Sequence, residues 1–252
     1  MTMDPVQVAV VNQTTGLADE DFTRGVEVLQ KQVSADFAHV WRIDASLRPV
    51  ERSRLREKYP QDWGLILVDG APHAKSLGYH DLTSTGLPLA IVFVNAARER
   101  GEDWTHPASH ELLEMLADPD INLAACVNPE AGTTQIYARE VCDPCAAYED
   151  GYEIDRRKVS DFVTPAWFQS DAGMRFAANS MLRQPFDKTE RIGAPLTMTP
   201  GGYIGVFDPT ISAWTVVGNP TGQNEPAQQG ARLERRGRAR NHWRTSDMVW
   251  TP

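Results

Sequence analysis

Apolar positions change their spacing several times along the chain, and each change predicts an element. Val6 to Val11 is short, rich in β-branched residues and followed by polar turn formers, the pattern of a buried strand. Between Asp19 and Val40, Phe22, Val26, Leu29, Val33 and Phe37 recur three or four apart, the stripe of a long amphipathic helix. Trp41 to Val50 and Gly64 to Val68 predict two more strands. Leu77 to Asp81 and Leu89 to Val94 predict another two, separated by Ser84, Thr85 and Gly86. Thr105 to Ala117 predicts a helix with Thr105 as N-cap and a stop at Asp118-Pro119, where proline cannot continue the hydrogen-bond ladder.

From Ala124 to Phe168 the pattern is irregular. Short strands are expected at Gln135 to Tyr137 and Tyr152 to Ile154, and a short helix from Val163. Further on, Pro195, Pro200, Gly201 and Gly202 punctuate β-like runs at Tyr203 to Phe207 and Ala213 to Val217. The expected organisation is a core domain over residues 1–170, a β-rich appendage packed on it over 171–218, and a flexible Arg-rich tail over 219–252. Alternation of strands and helices gives the fold class α+β, with a mixed sheet.

Composition adds limits. The chain has 252 residues, 41% hydrophobic and 23% charged, as a globular protein does. Its longest apolar stretch, Leu87 to Val94, is the length of a strand, which argues against a membrane span. The first residues lack a basic and an apolar signal region, and three cysteines are too few for a disulfide scaffold; both set the expectation of a cytoplasmic, reducing location. A net charge of -9 argues against nucleic acid and anionic membranes as partners. The six arginines between Arg232 and Arg244 leave a contact with nucleic acid or an acidic partner as the functional options for an otherwise solvated tail.

The chemistry concentrates in Ser109-His110-Glu111-Leu112-Leu113-Glu114. On a helix, His110 and Glu114 are four apart and share a face, where both can bind one cation; Glu111 beside them can activate the attacking water. This is an HExxE pattern, with glutamate where the second histidine of zinc peptidases usually stands. Carboxylate is a normal zinc ligand, and it widens the choice to other divalent metals. A third ligand must come from elsewhere, and Glu140 and Asp143, in Arg139-Glu140-Val141-Cys142-Asp143-Pro144-Cys145, are the candidates.

Cys142 and Cys145 form a CxxC, which offers a sulfur-based zinc or redox site as a competing reading, beside a disulfide between two of the three cysteines or inert buried thiols. Tyr79 and His80 precede the expected core strand and could assist a developing oxyanion, although His80 also reads as a surface strand residue. His106 is a reserve ligand one turn before His110; His39 and His73 are expected to face solvent, and His242 belongs to the tail. No phosphate-cradling loop, dinucleotide fingerprint or serine-nucleophile elbow is present.

Ser109, His110, Glu111, Glu114, Asp118 and Pro119, followed by Glu140, Asp143 and Cys145, together resemble zincin-like proteins of the HExxE type. These include bacterial and phage-associated proteins and, more distantly, the plant phosphate-induced EXORDIUM family. The ligand types are also similar to those of gluzincin metallopeptidases, in which a downstream glutamate is a ligand and an aspartate orients the histidine. The resemblance spans residues 60–170. It implies a zincin-like core, a zinc ion and a peptide or protein substrate. The expected function is therefore a zinc-dependent hydrolase of metallopeptidase type, and the alternative is a non-catalytic module of the same fold in a larger assembly.

Overall fold

The computed structural model describes residues 4–50, 61–70, 76–127, 134–169, 184–209 and 211–218. The expectations for His73, His242 and the tail lie outside the described residues. Among those described, no helix is long and apolar enough to cross a membrane.

The architecture is α+β, built on a mixed five-stranded sheet. Strands β1 (Val6–Asn12), β2 (Ala45–Val50), β3 (Trp63–Val68), β4 (Gly78–Leu82) and β5 (Pro88–Phe93) run in the order β2-β1-β3-β5-β4. The pairs β1–β2, β1–β3 and β3–β5 are parallel, and β4 is an antiparallel strand at the edge. Side chains alternate across the sheet. Val8, Val10, Leu65, Leu67, Ala90 and Val92 face one core; Ala9, Val11, Ile66, Leu89, Ile91 and Phe93 face the other.

Two helical runs cover the first face. One is α1 (Asp19–Lys31), a π-helical turn (Gln32–Phe37) and α2 (Ala38–Trp41). After α3 (Val94–Glu99) comes the other, α4 (Thr105–Ala117), which lies against β3, β4, β5 and α1. Strands β6 (Ala124–Val127), β7 (Gln135–Ala138), β10 (Tyr203–Asp208) and β11 (Ala213–Gly218) form a second sheet in the order β11-β10-β7-β6. The C-terminal strands are thus hydrogen-bonded across the boundary expected at residue 170, through Val206 opposite Tyr137 and Phe207 opposite Ile136. A hairpin of β8 (Tyr152–Ile154) and β9 (Arg157–Val159) packs on α4.

Three local expectations need correction. Trp41 ends the helix rather than starting a strand: its ring stacks on Phe37, one turn earlier, and its indole N–H donates to the Val163 carbonyl at 2.9 Å. Arg42, at φ 59°, then turns the chain toward β2. Val94 begins α3 rather than closing β5, since burial carries the apolar run one residue past the strand. Thr105 is the first residue inside α4, not its cap; its hydroxyl donates to the Lys158 carbonyl at 2.6 Å and ties the helix to β9.

Candidate metal centre

Every residue of α4 from Thr105 to Ala117 is buried. Such a helix normally carries apolar side chains all round, yet this one holds His106, His110, Glu111 and Glu114. Buried ionisable groups are costly unless paired or bound to a cation, so their surroundings define their use. Leu112, Leu113 and Leu116 fill the core, and Asp118, which precedes Pro119, ends the helix and accepts from the Asn122 and Leu123 amides at 2.9 and 3.0 Å.

The remaining face of α4 meets two other elements. After β7 the chain turns into a short 3₁₀ helix at Asp143–Cys145, and the Cys142 amide donates to Glu114 Oε1 at 3.3 Å. That bond brings Asp143 Oδ1 to 3.3 Å from His110 Nε2, which also lies 3.4 Å from Glu114 Oε1. Neither His110 Nε2 nor Asp143 Oδ1 makes a hydrogen bond within the protein.

From the other side comes β4. His80 pairs with Ala90 on the α4 side of the sheet, so it points at the helix rather than at solvent. Its Nδ1 is 3.4 Å from Glu111 Oε2 and 3.6 Å from Glu114 Oε2; its Nε2 is 3.6 Å from Glu140 Oε2. The strand sits directly on the helix here: a Cβ on Gly78 would meet Glu111 Cγ at 2.8 Å.

The structure thus brings His110, Glu114 and Asp143 together, and joins His80, Glu111 and Glu140 to them through Glu114. All six are between 0% and 6% exposed. Tyr79 is not among them. It pairs with Ile91 on the opposite face and packs on Phe93, with ring centroids 6.0 Å apart, because neighbouring residues of a strand point to opposite sides. His106 also stays apart, against Tyr148 with Glu102 Oε2 3.9 Å from its Nδ1; burial, then the charge of His110, pushes its pKa down to about 3. His39 is exposed, as expected.

The electrostatics follow from the crowding. Burial disfavours the charged form of His110, but the carboxylates of Glu114, Asp143 and Glu111 outweigh it and hold the imidazole well above its usual range. Burial, then the charge of Glu114, pushes the Asp143 carboxyl up to about 7. Cys142 and Cys145 are free buried thiols, both pushed up by burial; Cys126 is exposed and also free. Cys142 offers its sulfur beside His110 and Glu114, whereas Cys145 belongs to no group of clustered donors among the described residues. Among the described residues the two thiols of the CxxC therefore do not join one group of metal donors.

Sequence reasoning left the company of His80 undecided, although alternation with the apolar positions of β5 was the available signal. Comparison with family models, curated proteins and solved structures gives no match to this chain.

Proposed function

We propose that the chain is a metal-dependent hydrolase of zincin type, acting on peptide bonds. One observation carries this reading: His110 Nε2 stands 3.4 Å from Glu114 Oε1 and 3.3 Å from Asp143 Oδ1. Both separations leave His110 Nε2 and Asp143 Oδ1 without a hydrogen-bond partner. They match the edge of a tetrahedron whose centre lies at zinc–ligand distances, about 3.3–3.4 Å. His110, Glu114 and Cys142, whose donor atoms lie within 4.8 Å of one another, would hold the ion, and Asp143, 3.3 Å from the His110 ring, completes the set. A divalent cation there supplies Lewis acidity, polarising a carbonyl and making water nucleophilic at neutral pH.

The chain's own residues would do the rest. Glu111, beside His110 on α4, takes the proton of the attacking water and returns it to the leaving amine. His80, rather than Tyr79, is the assisting group on this face. Peptide is the favoured substrate because β4 is the last strand of its sheet among the described residues and lies over Glu111, and an extended chain can add to such an edge. Parallel strands with one antiparallel edge strand beside the HExxE helix also suit a zincin-like core.

Glu111→Gln should keep the ion held by His110 and lower peptide turnover by roughly 10²- to 10⁴-fold. His110→Ala should lose both. The check is metal content after chelation and reloading, alongside cleavage of a peptide library with a chelator control. Wild-type protein that cannot rebind metal would sink the proposal.

The burial of all six groups favours a second reading, a closed structural centre in a binding module. Full metal loading with no turnover of any peptide would select it.

A further inference from the structure

Two separate groups of donors meet in this cluster, and they share one residue. His110, Glu114 and Cys142 each offer a ligand atom within 4.8 Å of the others, and so do His80, Glu111 and Glu114. The shared glutamate uses different oxygens: Oε1 faces His110 and Oε2 faces His80. We propose that the cluster is a dinuclear centre in which Glu114 bridges two divalent cations, one on the His110–Asp143 side and one on the His80–Glu111 side. The proposal rests on the reading of this cluster as a metal centre and goes beyond its single ion.

Three features support the second position. The distances from His80 Nδ1 to Glu111 Oε2 and Glu114 Oε2, 3.4 and 3.6 Å, are near the tetrahedral edge of about 3.3–3.4 Å. Behind the ring, Glu140 Oε2 stands 3.6 Å from His80 Nε2, where a metal-bound histidine commonly has a carboxylate to fix its orientation. Glu111, Glu114, Glu140 and Asp143, when ionised, carry the charge that two divalent cations balance. A donor set of imidazole and carboxylate suits zinc, manganese or iron rather than a soft ion. Glu111 is then a ligand of the second ion, and its substitution removes that ion along with the base.

The test is a count and a spectrum. Chelator-stripped full-length protein is loaded with Zn²⁺ or Mn²⁺, freed of excess metal by gel filtration, and measured for metal per chain. The expected result is two ions in the wild type and one in His80→Ala and in Glu111→Gln. With two Mn²⁺ bound, the electron paramagnetic resonance spectrum should be the multiline signal of coupled spins. One ion per wild-type chain overturns the second position and leaves the single-ion reading standing; none overturns both. Two ions with the six-line signal of isolated Mn²⁺, or two ions retained in His80→Ala, overturn the bridge. Should either variant fail to fold, the wild-type count and spectrum decide alone.

Discussion

Asp161 and Asp187 show what a buried carboxyl does in this protein when hydrogen-bonding neighbours surround it. Both are fully buried, and Thr189 Oγ1 donates to Asp161 Oδ2 at 2.5 Å with Asp187 Oδ2 3.2 Å away. Amides complete the pair: Phe162 donates to Asp161 at 2.7 Å, and Arg191 and Ile192 to Asp187 at 3.0 Å. Burial, chiefly, with the Asp187 carboxylate against it, pushes Asp161 up to about 8, so Asp161 keeps its proton at neutral pH. In the unfolded chain the same group titrates near 4. Between those values the folded state binds more protons than the unfolded one, so Asp161 makes stability fall as pH rises from about 4 through about 8. Asp161→Asn replaces the carboxyl proton with a fixed amide donor. Urea unfolding at pH 5 and pH 8.5 should find the variant more stable than wild type at the higher pH, by a few kcal/mol, and the gap closing at the lower. Parallel pH profiles would refute the assignment. At this scale the sequence was partly legible. The spacing of His110 and Glu114 marks a shared helical face without further information, whereas the Asp161–Asp187 and His80–Glu114 pairings join residues 26 and 34 positions apart and depend on how the chain folds back.

Elements divide along the same line. The α4 range was readable because Thr105 to Ala117 is bounded by a proline at Pro119, a local stereochemical stop. That all of α4 would be buried was not readable, since burial comes from packing against α1, the sheet and β9. Nor was the π-helical turn inside the first helical run, where the apolar stripe continues unbroken through Val33 and Phe37. The contact of α1 with the start of α4 is set by one small residue. A Cβ on Gly25 would overlap Trp104, with Cζ2 only 2.0 Å away, and a buried indole has little room to move. Gly25→Ala gains up to about 1 kcal/mol of helix propensity on an exposed helix. Here overpacking should outweigh it, for a net loss of roughly 1–3 kcal/mol measured by urea unfolding. A variant as stable as wild type would mean that the two helices separate freely, and would weaken the view of α4 as a fixed platform.

Across the whole molecule, the cluster joins parts of the chain that share little else. His80 belongs to the edge of the five-stranded sheet, His110, Glu111 and Glu114 to the central helix, and Glu140 and Asp143 to the turn leaving the second sheet. A cation binding them all would fasten three layers at once, and the unfolded chain has no such site to compete for it. Binding to the native state alone raises stability by RT ln(1 + [M]/Kd), about 2.7 kcal/mol at a hundredfold excess over Kd. For a chain of this size that corresponds to a rise in Tm of roughly 5–10 °C. Thermal unfolding of chelator-stripped protein should therefore shift upward when Zn²⁺ or Mn²⁺ is added and fall back with chelator. The shift should be lost in Glu114→Ala, which removes the shared ligand, and reduced in Cys142→Ser, which removes the sulfur that stands with His110 and Glu114. An equal shift in wild type and Glu114→Ala would locate the metal elsewhere. No shift in either would mean that the layers are held by protons and packing alone, and that the convergence of these carboxylates serves the fold without an ion.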